Sequence, residues 1–368
     1  MSVIKSFAQS LNPEETALFI LTEGFTNTHH AKTAEGVIKY GKWKIDSIID
    51  SQYHSNEAYS YPLVKTLRKA LEQSKYANDN SIKDRALLIG IAPAGGKIPE
   101  NWLSIIKEAI VSGLHIISGL HEFLEDLDEI QDLAKRHQVR LWDLRNPDQY
   151  QSSLINAIAK LNKRSVQNKV VTMVGSDCSV GKMCTALELN KSLLELGTSS
   201  QFIATGQTGI MISGNGIPSD RVIGDFMAGS VEQEISRVIE KYNPQFSIVE
   251  GQGSLLHPAY SSVTLSLLHG SNPDALILCH KANKSKIDDP YTITIPSIAK
   301  LIEIYENVLS LIENKSKVIG IAVNTSTLSD AEAREYLDGL ATEISLPCSD
   351  PIRFGMEEIA KNLIGSFV

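Results

Sequence analysis

Residues 169–196 read KVVTMV, then GSDCSVGK, then MCTALELNKSLLEL: a β-branched apolar run, a loop with two glycines and a lysine, and a helical pattern. Strand, glycine-bearing loop, lysine and helix in this order make a phosphate cradle. Gly175 and Gly181 let successive backbone N–H groups turn inward, the helix start adds partial positive charge, and Lys182 supplies a full charge for terminal phosphates. The predicted ligand is therefore a phosphate-bearing nucleotide or coenzyme. Its expected holders are Gly175, Ser176, Asp177, Cys178, Ser179, Val180, Gly181, Lys182, Met183, Cys184 and Thr185. The competing reading is a glycine-rich turn that starts an ordinary helix.

The loop departs from the plain GxxxxGK[ST] spacing twice. Gly175 stands one residue early, and Met183 replaces the hydroxyl residue that usually holds magnesium. Ser179 or Thr185 would have to supply that oxygen, or the metal is bound differently or not at all.

Apolar β-branched runs alternate with amphipathic stretches over most of the chain. Strands are expected at 17–22, 46–50, 86–92, 114–118 and 139–143, and again at 169–174, 201–204, 246–250, 275–279 and 317–323. Helical patterns fall at 101–112, 122–137, 184–196, 230–241, 296–313 and 329–343. Continuous apolar strands between helices mean parallel sheets covered on both faces. At 368 residues, two domains are expected. The fold class is α/β, with two doubly wound, mainly parallel sheets: a Rossmann-like domain over 1–150 and a P-loop nucleoside-triphosphate-hydrolase-like domain over 151–368. The polar stretch 145–168 is the expected junction, and the ligand site is expected in the cleft between the domains.

The net charge of −8, with no Lys/Arg run longer than two, argues against nucleic acid and anionic membrane as partners. No apolar run reaches the ~18 residues of a membrane helix, and the N-terminus lacks a signal-peptide pattern, so a cytoplasmic location is expected. The four cysteines show no CxxC spacing and read as small buried hydrophobes. Self-association into a homo-oligomer is expected, closed dimers being the commonest assembly.

GSDCSVGK is similar to the GTDTxVGK loop of dethiobiotin synthetase and related P-loop proteins. That resemblance implies that Glu250, after the strand FSIV, binds a metal beside the phosphates; Thr185, from the loop reading above, is the other metal candidate. It also implies that Asn324, after VIGIAV, meets the base. More specifically, ALLIGIAPAGG at 86–96, GLHIISGLHEFLE at 113–125, GSDCSVGKMCTALEL at 175–189, DRVIGDF at 220–226 and VEGQGS at 249–254 recur in order in one family. The chain resembles the D-glutamate N-acetyltransferase-like family, a Rossmann-like domain followed by a P-loop domain. The resemblance covers most of the chain, and the P-loop and GLHEFL blocks are its most specific pieces. It implies transfer of acetyl from acetyl-CoA to the amine of a D-glutamate-like amino acid. In most relatives two threonines follow GKM or GKK; here Cys184 takes the first of those places, leaving Thr185.

Further candidates are read from the residues. The segment 22–41 carries Glu23, Gly24, His29, His30, Lys32 and Thr33 after the first strand, where a ligand's anionic group would sit, and Glu23, His30, Lys32 and Thr33 are its substrate-binding candidates. Adjacent histidines face apart and form no chelating pair. Gly95 and Gly96, with Pro93, Ala94 and Lys97, suggest a smaller anion nest but no dinucleotide fingerprint. His121, His257 and Glu250 are candidate bases for accepting an ammonium proton. Glycine-rich 205–226 reads as a mobile loop over the phosphates or as an irregular surface loop, and within it Gln207, Arg221 and Asp225 are substrate candidates, with Asp220 a further charged contact.

Three functions fit these residues. The first is acetyl-CoA-dependent N-acetylation of a small acidic amino acid. The second is an ATP- and Mg2+-dependent ligase or kinase acting on a small carboxylate. The third is a non-catalytic nucleotide-binding regulator. Coenzyme A bears a pyrophosphate and a 3′-phosphate, so a cradle without the magnesium-binding hydroxyl at 183 favours the first.

Overall fold

A computed structural model describes residues 11–55, 57–91, 98–161 and 167–367. The chain divides into two compact units, one of Met1–Gln151 with Gln207–Arg221, the other of Ser152–Gly206 with Val222–Val368. The chain therefore leaves the first unit, begins the second, returns, and leaves again.

The first unit is built on β1 (Thr16–Leu21), β2 (Lys44–Ile49), β3 (Glu57–Ala58), β4 (Tyr61–Val64), β5 (Asp84–Ile89), β6 (His115–Ser118) and β7 (Leu141–Asp143). They lie in the order β3-β4-β2-β1-β5-β6-β7, parallel except for the short β3–β4 ladder. Leaving β3 aside, this is the doubly wound order 3-2-1-4-5-6, whose direction reverses between β1 and β5. All six residues of β1 are buried, which a strand covered on both faces requires.

The second unit carries β8 (Lys169–Gly175), β9 (Ser200–Ile203), β10 (Phe246–Val249), β11 (Ala275–Lys281), β12 (Lys317–Asn324) and β13 (Cys348–Ser349). All pair in parallel, in the order β13-β12-β11-β8-β10-β9. β8 thus runs centrally between β11 and β10, and its C-terminal end is walled on both sides. One face of the core packs Val174, Leu276, Leu278, Leu301, Tyr305 and Ile321.

Local structure adds one element that the pattern did not predict and corrects one expectation. The polar segment 22–41 holds a 3-10 turn, His29–Ala31, and a helix, Lys32–Tyr40, because Ala34 and Val37 at i, i+3 spacing give it a buried stripe. The glycine-rich 205–226 is no loose loop: Gln207–Ser213 is helical and Ser219–Arg221 is a 3-10 turn. This re-entrant segment is tied into the first unit. Trp43 Nε1 donates to the Met211 carbonyl at 2.9 Å, Thr208 Oγ1 lies 2.9 Å from Thr33 Oγ1, and Gln207 Nε2 donates to Thr33 Oγ1 at 3.4 Å.

β7 ends on Asp143, 1% exposed, which accepts from the Glu125 amide at 3.0 Å through Oδ2 while Oδ1 has no partner. Burial raises this carboxyl from 3.8 to about 7. Between those values the folded chain holds a proton that the unfolded chain has lost, so stability falls as pH rises from about 4 to about 7. Asp143→Asn is expected to raise the melting temperature of the first unit at pH 8, by the equivalent of ~1–3 kcal/mol, with little change at pH 4. Equal shifts at both pH values would refute a proton-linked cost.

Candidate phosphate-binding site

β8 runs into the loop and the helix Lys182–Glu195 follows, so the expected strand, loop and helix are in register. Ser179 and Gly181 take positive φ, 54° and 105°. These reversals leave backbone N–H groups turned away from protein acceptors. Among the described residues, the amides of Val180, Gly181, Lys182 and Met183 donate to no protein group, while Thr185 N donates to the Gly181 carbonyl at 2.9 Å. A run of unspent amides at a helix start is an anion site.

Lys182 is buried, and its Nζ donates to the Asp177 carbonyl at 2.7 Å. Burial pulls its pKa down, partly countered by nearby thiols and carboxylates. A phosphate would restore the counter-charge that water no longer supplies.

The loop is braced from behind. Tyr305 donates to the Gly175 carbonyl at 2.6 Å, and Ser176 Oγ lies 2.8 Å from His280 Nδ1. Burial, then Lys284, holds His280 down to about 4, so its ring is neutral near pH 7. Asp177 Oδ1 accepts from the Cys178 amide at 2.7 Å, and Oδ2 accepts from the Asp288 amide at 2.9 Å and pairs with Lys284 at 2.8 Å. Although burial opposes it, Lys284 and these amides hold the Asp177 carboxyl below its ordinary value.

The two expected metal ligands lie on either side of the loop. Thr185 is buried against the Cys279 thiol, which burial pushes up to about 11 and Thr185's hydrogen bond partly lowers. Glu250, just past β10 and 4% exposed, accepts from the Thr205 amide at 2.9 Å through Oε2. Asp177, Cys178 and His257 bring ligand atoms within 4.8 Å of one another, which also meets metal spacing. Asp177, however, is already committed to Lys284 and two amides. His257 is buried, with Nδ1 accepting from the Ala259 amide at 3.3 Å and its ring stacked 4.5 Å from Tyr260. Asn324 ends β12 and accepts from the Ser326 amide at 3.0 Å.

The remaining candidates belong to the first unit or lie apart. Glu23 is buried and accepts from the Ser51 amide at 3.0 Å; Lys32 is exposed; the His30 ring stands edge-on to Phe25 at 5.3 Å. Asp50, which sequence reading passed over, accepts from the amides of Gly24, Thr26, Gln52 and Tyr53, so it closes the loop after β1. Only its place at the end of a strand could have marked it. His121 Nε2 lies 3.1 Å from an Arg145 Nη1, and Arg145 also pairs with Asp220. Arg221 stacks over Phe123 at 4.7 Å. Asp225 is exposed at the start of the helix Gly224–Tyr242 in the second unit. Gly95 and Gly96 lie outside the described residues.

Residues 157–360 match the domain of unknown function (DUF1611_C) P-loop domain, and residues 58–147 match its companion, the DUF1611_N Rossmann-like domain. The chain belongs to the DUF1611 family. A crystal structure of a DUF1611 family protein from Anabaena variabilis superposes with a TM-score of 0.81 at 32% identity, covering 95% of this chain and 99% of that one. Two curated relatives are named D-glutamate N-acetyltransferase, an enzyme name. The one from Pseudoalteromonas sp is 39% identical over 81% of this chain and 87% of its own length. The one from Tritonibacter scottomollicae is 38% identical over 77% of this chain and 81% of its own. The two matched domains agree with the α/β architecture described above. No helix among the described residues is long and apolar enough to cross a membrane.

Proposed function

We propose that this DUF1611 protein is an N-acetyltransferase that takes acetyl from acetyl-CoA and transfers it to the amine of a D-glutamate-like amino acid. The observation that carries the reading is a cradle fitted for phosphates whose hydroxyl position after the lysine is Met183, within a chain about 39% identical to relatives of that name. The free amides of Val180 to Met183 and the buried Lys182 would hold coenzyme phosphates with no hydrolysis required. Bound there, the coenzyme would supply a thioester as acyl donor.

The pantetheine arm separates that thioester from the phosphates. Groups against the loop, such as Glu250 and His257, therefore act on the phosphate side in this reading and serve to orient rather than to deprotonate the acceptor. His121 accepts from Arg145 at Nε2 when neutral, and burial followed by the Arg145 charge lowers its pKa. That places the His121 proton on Nδ1, a poor arrangement for a base.

The second reading, an ATP- and Mg2+-dependent ligase or kinase, rests on Glu250, a buried carboxylate at a strand end beside the loop. The two separate in one assay. Purified protein with acetyl-CoA and D-glutamate should release free CoA and form N-acetylglutamate, with L-glutamate a weaker acceptor. No CoA release across D- and L-amino acids, with ADP formed from ATP and magnesium, would overturn the acetyltransferase and install the second reading.

A further inference from the structure

At the C-terminal ends of β6 and β7 the first unit gathers more positive charge than its surroundings neutralise. Arg145 Nε donates to the Gly119 carbonyl at 2.7 Å, and Nη1 reaches His121 Nε2 at 3.1 Å and pairs with Asp220. Among the described residues, Nη2 has no partner. The guanidinium is 15% exposed, so water satisfies little of it, and burial, with Arg221 adding to the effect, lowers its pKa despite Asp220. Arg221 stands exposed above the Phe123 ring, which leaves its N–H edge for another group. Two guanidiniums therefore face one carboxylate, in a chain whose net charge is −8.

The re-entrant segment builds this cluster. Gln207 packs against Gly119 so closely that a Cβ there would fall 1.5 Å from its Oε1, and the 3-10 turn Ser219–Arg221 brings Asp220 and Arg221 alongside Arg145. A planar guanidinium held on two sides with its outer nitrogen free is shaped for an oxyanion.

We propose that Arg145 and Arg221 form the site for the side-chain carboxylate of the acceptor amino acid, oriented by His121 and the Gly119 carbonyl, and so select acidic acceptors. The inference deepens the acetyltransferase reading and rests on it for the acceptor's identity. A coenzyme phosphate offers the same oxyanion chemistry, and the kinetics distinguish the two sources.

The test is steady-state kinetics on Arg145→Lys, Arg221→Gln and Asp220→Asn, with D-glutamate and D-glutamine as acceptors. Arg145→Lys and Arg221→Gln should raise KM for D-glutamate roughly 10- to 100-fold, leave D-glutamine nearly unchanged, and leave KM for acetyl-CoA unaltered. Asp220→Asn, which removes the competing carboxylate, should hold or lower KM for D-glutamate. Unchanged D-glutamate KM in both arginine variants, or a rise in acetyl-CoA KM in its place, would overturn the proposal. Should wild type acetylate no amino acid, the proposed function fails separately. Calorimetric titration with glutarate then still tests the site: binding lost in Arg221→Gln upholds it, and binding equal in both proteins refutes it.

Discussion

Lys182→Ala is expected to weaken binding of the phosphate-bearing ligand by about 100-fold or more while leaving the ligand-free protein as stable as wild type or slightly more stable. The two halves of this expectation have one cause. The ammonium is enclosed, its pKa is drawn down by burial, and its hydrogen bond goes to one neutral carbonyl. A charge kept from water, and only partly offset by the nearby Asp177 and Glu250 carboxylates, costs the folded state free energy, which a bound phosphate returns. Deleting it removes the cost and the benefit together. Calorimetric titration with acetyl-CoA, paired with a melting curve of the free protein, reads both. Retained affinity would show that phosphates bind elsewhere, whereas a large loss of stability would make Lys182 a structural strut.

Gly251→Ala is expected to be the more damaging change. Gly251 follows β10, where the chain passes the end of β8, and a Cβ there would come 2.0 Å from the Met173 carbonyl oxygen and 2.9 Å from Lys182 Cδ. The first neighbour is backbone in the central strand of the sheet and has nowhere to move. Separating the two strand ends should cost more than about 3 kcal/mol, on the order of a 10 °C fall in the melting temperature of the second unit. The same displacement would shift the lysine stem, so ligand affinity should fall as well. A variant that melts with wild type would mean the strand ends separate at no cost.

Much of the second unit was legible from residues alone. β8, β10, β11 and β12 fall close to where apolar β-branched runs placed them, and Gly181-Lys182 sits where a strand–loop–helix reading requires. Those signals are local: side-chain period and turn chemistry act over a few residues. The helix Gln207–Ser213 and its docking were not legible, since they depend on Trp43, Thr33 and Gly119, residues far away in sequence. Arg145 was overlooked because its neighbours, RNPDQ, read as a junction. Its role appears only when Asp220 and Gly119 are brought to it by the fold. The helix Lys32–Tyr40 was hidden by its polar outer face, its buried stripe being only a few residues wide.

The return of Gln207–Arg221 to the first unit bears on how the chain is made. During synthesis the leading 151 residues emerge without the piece that carries Asp220 and Arg221, and they must wait through the phosphate loop and β9 before that piece arrives. Until then Gly119 and the Trp43 indole lack the partners that later cover them. A ribosome-bound fragment ending near residue 160 should therefore be readily cleaved by protease, and one extended past residue 221 markedly less so.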